Sequence, residues 1–379
     1  MDLSFTEEQN LLRDSVRKFV DSQYDISVRN KLSASPTGFS QEYWQQFADL
    51  GWLALPFSEE DGGIGGTPVD TMVLMEEFGR GLVLEPYLAT VVMFGSAISM
   101  AGSDAQKATL LPAIMDGSLM ASFAYAEAQS HHDLNNIETS AVAEGDGYVL
   151  NGTKCVVLNA QSAGKLLVST RTSGASQDHD GITLFIVDAE ASGIKRIDYP
   201  TVDGLRAADI SFTDVRVSAA DQVGELGKGY TIVASIANRA ILALAAEAVG
   251  AMEVLYQDTI AYTKQRKQFD HPLSEFQVLK HRMTEMFMEH ALAKSLCIKA
   301  TMLETQGLET QGSAETQRTI HALKYLIGKS SRFVGQNAVQ LHGGMGMTEE
   351  LRVAHYFKRL MIIDSQFGNT DHHLERFVA

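Results

Sequence analysis

The sequence predicts an α+β protein in which a helical segment, a β-rich segment and a second helical segment follow one another. Three observations carry this expectation. Apolar residues recur at helical spacing up to about residue 118, short β-branched and aromatic runs replace them up to about 228, and three long helical runs close the chain. The expected domains are therefore an N-terminal α-helical domain over 1–118, a middle β domain over 119–228 and a C-terminal α-helical domain over 229–379.

In chain order, Thr6-Glu7-Glu8-Gln9 has the capping-box pattern, with Thr6 as cap and Gln9 bonding back, so a helix starts there. Over 40–50, Trp44, Phe47 and Leu50 fall three apart. The glycine-rich Asp61-Gly62-Gly63-Ile64-Gly65-Gly66 then breaks the chain before an apolar helix around 71–78. In the middle, 147–150, 165–169, 182–187, 210–212 and 215–217 read as strands, and Asn151-Gly152 reads as a type I′ hairpin turn because both residues tolerate positive φ. After Gly227-Lys228-Gly229, the run 231–264 is apolar nearly all round, as in a helix enclosed by neighbours. Pro272 and Ser274 open another long helix carrying Phe276, Leu279, Met283, Met286 and Phe287. A third runs over 319–340 until Gly343 and Gly344 stop it.

Composition narrows the function classes. A chain of 379 residues with 45% hydrophobic and 21% charged residues is an ordinary globular mixture. A net charge of -16 argues against nucleic acid, which is held by clustered Lys and Arg. Cys155 and Cys297, the only cysteines, stand far apart in apolar contexts and read as reduced thiols, which fits a cytoplasmic protein. Met1-Asp2-Leu3-Ser4-Phe5 lacks the basic and apolar regions of a secretion signal, and the most apolar stretch, 240–252, is interrupted by Glu247, so neither a signal nor a membrane span is expected. His131-His132 does not read as a metal site, since neighbours on a strand point to opposite faces.

Two motifs look like dinucleotide contacts. In Arg266-Lys267-Gln268-Phe269, Arg266 supplies a planar charged fork suited to a pyrophosphate, and Phe269 offers a ring to the adenine side. In Gln340-Leu341-His342-Gly343-Gly344-Met345-Gly346, Gln340 can bond an adenine or phosphate edge while Gly343 and Gly344 let the backbone approach a ligand. An isolated Arg and Phe would more often be a surface ion pair beside a core ring, and an isolated Gly-Gly a helix stop. Together with Gly204-Leu205-Arg206-Ala207-Ala208-Asp209 and Val223-Gly224-Glu225-Leu226-Gly227-Lys228-Gly229, however, the chain resembles acyl-CoA dehydrogenases along essentially its whole length. Through His355-Tyr356-Phe357-Lys358-Arg359 and Phe367-Gly368 it resembles most the small subunits of two-component members such as pimeloyl-CoA dehydrogenase.

That resemblance implies an N-terminal helical bundle, a β-barrel-like middle domain and a C-terminal four-helix bundle. It implies FAD as cofactor, an acyl-CoA thioester as substrate, electron-transfer flavoprotein as acceptor, and a homo- or hetero-tetramer with a related subunit. The Arg266–Phe269 corner would then reach the FAD of a neighbouring subunit, and Asn369 would stand where the family binds the pyrophosphate with a hydroxyl.

Departures from the family pattern concentrate on the flavin ring and the base. The segment that usually ends in Thr-Glu and a Gly-rich loop reads Tyr125-Ala126-Glu127-Ala128-Gln129-Ser130-His131-His132-Asp133, and the Trp-x-Thr strand reads Val156-Val157-Leu158-Asn159. An Arg often found near CoA is Ile241. The two positions that carry the proton-abstracting carboxylate are Phe367 and Ala240. Two candidate bases remain: Asp364, one helical turn before Phe367, and Glu247, two turns after Ala240. A carboxylate within the apolar 243–249 must be paired, protonated or functional, and Arg239 lies too far along an ideal helix for direct contact. The sequence thus supports either a complete enzyme with a relocated base or a subunit that lends FAD contacts to a partner owning the base.

Overall fold

The computed structural model describes residues 5–307 and 314–379. The chain begins with α1 (Glu7–Gln23), α2 (Ile26–Ser33), α3 (Gln41–Asp49) and α4 (Pro68–Gly81). Thr6 and Gln9 form the expected capping box on α1, and Trp44 and Phe47 are the buried side of α3. A buried π-helical segment, Leu88–Gly95, runs into α5 (Ser96–Ala101) and is followed by α6 (Asp104–Met115). The strands are β1 (Ala121–Ala124), β2 (Ser140–Glu144), β3 (Gly147–Leu158), β4 (Lys165–Arg171), β5 (Ile182–Asp188), β6 (Ile194–Pro200), β7 (Arg206–Ser218) and β8 (Gln222–Val223). Helix α7 (Tyr230–Gln265) leads into a short hairpin of β9 (Lys267–Gln268) and β10 (His271–Pro272), and α8 (Gln277–Gly307), α9 (Ala314–His342), α10 (Arg352–Ser365) and α11 (Thr370–Val378) complete the chain.

The residues gather into two compact units. One comprises Met1–Lys31, Thr67–Val83 and Ile241–Ala379, so α1 and α4 belong with the C-terminal helices. Sequence explains the approach of α4 to α7: a Cβ on Gly79 would collide with the Glu247 carbonyl oxygen, and one on Gly250 would collide with that of Glu76. Only glycine permits this backbone-to-backbone crossing. Three buried carboxylates flank it and each has a cation: Glu76 with Lys294, Glu77 with Arg17 and Arg80, and Glu247 with Arg359. Among the described residues α7 is the one helix long and apolar enough to cross a membrane, and 72% of that apolar window is buried inside the protein, as a core helix is.

The second unit comprises Leu32–Gly66 and Leu84–Ala240. Its centre is one mixed eight-stranded sheet in the order β6-β7-β3-β2-β4-β5-β8, with β1 pairing parallel to β4. Leu150, Val157, Val168, Phe185, Ile210 and Phe212 form its apolar core. Asn151-Gly152 is not the hairpin turn that the sequence suggested. The β2–β3 turn falls at Gly145-Asp146, and Asn151-Gly152 is a bulge inside β3 where its register on β7 shifts. The bulge is fixed by reciprocal bonds: Asn151 Nδ2 donates to Asp214 Oδ1 (3.1 Å) and the Asp214 N–H donates to Asn151 Oδ1 (2.9 Å). A Cβ on Gly152 would strike Thr139, which is why glycine follows.

Candidate functional site

The Arg266 corner is built by the end of α7. The Arg266 N–H donates to the Tyr262 carbonyl (2.8 Å), and the chain then makes the β9–β10 hairpin, in which Gln268 faces His271. The two turn residues, Phe269 and Asp270, have φ of 55° and 65°, the left-handed conformation of a tight hairpin. Holding a bulky residue there costs of order 1 kcal/mol, and Phe269 is nonetheless 84% exposed, touching Phe276 edge-on at 6.3 Å. Arg266 is exposed, and its guanidinium has no ion pair among the described residues.

The second motif ends α9. Tyr262 stacks on His342 at 4.3 Å, and its hydroxyl donates to the His342 carbonyl (3.4 Å), so one tyrosine ties both motifs to a single end of the helical unit. Gln340 is exposed. Gly343 has φ of 61°, and a Cβ on either Gly343 or Gly344 would meet nothing within 4 Å. The chain's own packing therefore does not demand a bare backbone at Gly344, whereas a ligand resting on the turn would. An exposed cationic fork, an exposed ring, an exposed amide and an open glycine turn fit the ADP half of a dinucleotide approaching from outside this unit.

Asn369 is already engaged. It is the N-cap of α11, its Oδ1 accepting from the His372 N–H at 2.9 Å. The turn before it carries Phe367 at φ 55° and Gly368 at φ 104°. Lys324, fully buried on α9, fixes that turn by donating to the carbonyls of Asp364 (2.8 Å) and Gly368 (2.7 Å), and burial pushes its ammonium down to about 8. The Phe367 carbonyl is 2.9 Å from His373 Nε2.

Both candidate bases are occupied within the chain. Asp364 is buried; its Oδ1 accepts from the Thr370 N–H (3.1 Å) and hydroxyl (2.8 Å), and its Oδ2 accepts from Arg332 Nη2 (3.2 Å). A Cβ on Gly328 would collide with Asp364 Oδ1, so α9 carries a glycine to admit the carboxylate. Glu247 is gripped by Arg359 of α10, with Nε to Oε1 at 2.5 Å and Nη2 to Oε2 at 2.7 Å, both side chains buried. Its cation is thus Arg359 rather than Arg239. Phe367 and Ala240 are buried apolar residues.

In the β unit, the segment 125–133 spends its polar groups on itself. Glu127 Oε1 accepts from Lys154 Nζ (2.6 Å) and the Thr139 N–H (3.1 Å), and Oε2 from the Glu138 N–H (2.8 Å) and Gln129 Nε2 (2.6 Å). Burial works against its charge, but Lys154 and these donors outweigh burial and hold the carboxyl at about 2. The carbonyl of Tyr125 accepts from Lys154 and that of Ala126 from the Cys155 N–H. Arg171 adds four backbone carbonyls to the knot, those of Asn135, Ile137, Ser176 and Asp180. Val156 replaces an aromatic cover with a half-exposed aliphatic side chain at φ 52°.

Sequence reasoning missed Lys324, Arg332, Arg359, Tyr262 and the Lys154–Glu127 pair. One signal was present: Lys324 falls among Ile320, Leu323 and Ile327, the apolar stripe of α9, where a cation must be serving buried acceptors.

Family profiles decide the class. The sequence matches the acyl-CoA dehydrogenase N-terminal domain over residues 6–118, the middle domain over 122–215 and the C-terminal domain over 227–378. The chain belongs to the acyl-CoA dehydrogenase family. Among its relatives, a protein named as a probable acyl-CoA dehydrogenase, YngJ, of Bacillus subtilis (strain 168) is 29% identical, covering 98% of this chain and 97% of its own. Butyryl-CoA dehydrogenase from Megasphaera elsdenii, a solved structure, is 26% identical with a TM-score of 0.90, over 100% of this chain and 99% of its own. The Tcur3481-Tcur3483 steroid ACAD, solved as a point variant, is 26% identical with a TM-score of 0.87, over 98% and 97%. Family members are FAD-dependent oxidoreductases of the CH–CH group of acyl-CoA thioesters, so the expected fold, cofactor and reaction class stand.

Proposed function

We propose that this chain serves FAD-dependent acyl-CoA oxidation as one subunit of a heteromer, lending ADP-side contacts to a flavin whose substrate-side base stands on a related partner subunit. The observation that carries this reading is a contrast within one unit: Arg266, Phe269, Gln340 and the Gly343-Gly344 turn are exposed and uncommitted, while Asp364 and Glu247 are both buried in pairs. A general base needs a lone pair aimed at the substrate proton. Glu247 has both oxygens on a guanidinium, and Asp364 has each oxygen on a structural donor.

When bound, FAD supplies the acceptor for the hydride leaving the β-carbon. Arg266 would neutralise pyrophosphate charge as a permanent cation, Phe269 would offer its ring to the adenine side, and Gln340 with the glycine turn would complete the ADP-side contacts. Asn369 caps α11 through its Oδ1, and in this reading it shapes that helix start rather than gripping the cofactor with that oxygen. An acyl-CoA thioester is the substrate class and an electron-transfer flavoprotein the acceptor. The Tcur3481-Tcur3483 steroid ACAD is named for two components, which supports a two-chain assembly.

Flavin content tests this directly. The chain purified alone is expected to hold little FAD, and the complex co-expressed with its dehydrogenase-like partner about half an equivalent per chain. One tightly held FAD per chain in the isolated protein would overturn the proposal.

A further inference from the structure

We infer that the His321–His373 pair is a proton-operated latch, seating α11 on α9 and holding the Phe367-Gly368 turn only while at least one of the two rings is neutral. The latch lies wholly within the helical unit and does not depend on the cofactor-lending reading.

Hydrogen-bond logic fixes the protons. His373 Nε2 is 2.9 Å from the Phe367 carbonyl oxygen, which can only accept, so Nε2 carries the hydrogen. His373 Nδ1 is 2.9 Å from His321 Nδ1. One of these nitrogens must donate and the other accept, and a neutral His373 protonated at Nε2 has only a lone pair to offer at Nδ1. His321 therefore donates through Nδ1. Charging both rings would set two N–H groups head-on across this contact, so the closed turn admits one proton between the two Nδ1 atoms and at most one charged ring.

The Phe367 carbonyl favours a charged His373, but burial works against it and outweighs it, with cationic neighbours adding to burial. His373 is 2% exposed and His321 half-buried. The charged and titratable neighbours acting on the rings are His372 and Arg376 from α11 and Lys324 from α9, all cationic or able to become so. Asp364, the carboxylate of this turn, is spent on Thr370 and Arg332. Burial pushes both imidazoles down, His373 to about 3. The turn itself is under tension, since Phe367 sits in the left-handed region at φ 55°. Lys324 grips the carbonyls of Asp364 and Gly368, a bond that acid does not weaken, so acidification should release the α11 side and leave the end of α10 in place.

The sign follows from linkage. An opened His373 regains an ordinary affinity for protons, with a pKa near ~6.5. Between that value and its lower folded value, opening takes up a proton, and the open population rises about tenfold for each pH unit lost. If both rings are protonated on opening, the rise approaches about a hundredfold per unit.

Hydrogen–deuterium exchange of the segment 366–378, corrected for intrinsic rates, would be followed in the full-length protein from pH 8 to pH 5. The wild type is expected to hold a constant opening level down to about pH 6.5 and then to lose protection by about tenfold or more per pH unit. His373→Asn removes the ionisable ring and keeps a δ oxygen to accept from His321, and should flatten the profile. Should that variant fail to seat α11 even at pH 8, His321→Asn carries the test: its amide can donate or accept, so His373 can ionise in place and the slope shrinks. A wild-type profile flat to pH 5, or an equal slope in wild type and His321→Asn, would overturn the inference.

Discussion

Removing the Arg359 guanidinium tests whether Glu247 is structural. The two side chains share two short bonds with both partners buried. Arg359→Leu therefore strands a buried carboxylate, a change that costs about 3–5 kcal/mol. In a unit of this size each kcal/mol moves the unfolding midpoint by about 2–4 °C, giving a fall of roughly 6–20 °C by differential scanning fluorimetry. The double variant Glu247→Leu with Arg359→Leu should recover most of that loss, because an apolar pair needs no desolvation. Glu247→Gln, assayed well below its midpoint in the co-expressed complex, should keep kcat within a few-fold. If Glu247 were the base, the same change would lower kcat by about 10²–10⁴. A loss of that size with an unmoved midpoint would refute the structural role.

Other consequences follow from the same geometry. Gly250→Ala, and likewise Gly79→Ala, should destabilise the helical unit by about 1–3 kcal/mol or more in denaturant unfolding, because the added methyl meets backbone on the opposite helix. Phe269→Asn should raise stability by a few tenths of a kcal/mol, since Asn accepts the left-handed turn more readily, yet lower the flavin retained by the complex; unchanged flavin content would remove Phe269 from the site. Glu127 titrates at about 2 when folded against 4.5 for the free group. Its contribution is therefore complete above about pH 4.5 and lost as pH falls toward 2. Lys154→Met, which leaves Glu127 without its cation, should give a shallower acid slope over that window in urea unfolding than the wild type.

The legible parts of this protein were those set by local rules. The Thr6-Gln9 capping box, the apolar α7 and the helix stop at Gly343-Gly344 each depend on a few adjacent residues, and each stands where the sequence put it. Asn151-Gly152 misled because the dipeptide serves a bulge as well as a turn, and the choice was made by Asp214 and Thr139 far along the chain. The site divided in the same way. Arg266, Phe269 and the glycine turn are local shapes and could be read, whereas the fate of Asp364 and Glu247 depended on Arg332, Thr370 and Arg359 arriving from other elements. A buried acid in an apolar helix announces that a partner exists without saying which one.

The central claim, that this chain lends cofactor contacts and leaves proton abstraction to a partner, is tested most directly by anaerobic flavin bleaching with a panel of acyl-CoA thioesters. The chain alone, supplied with saturating FAD, is predicted to keep its oxidised flavin spectrum with every thioester, while the co-expressed complex bleaches with at least one. Bleaching of FAD by the isolated chain would show a base within this sequence and contradict the account.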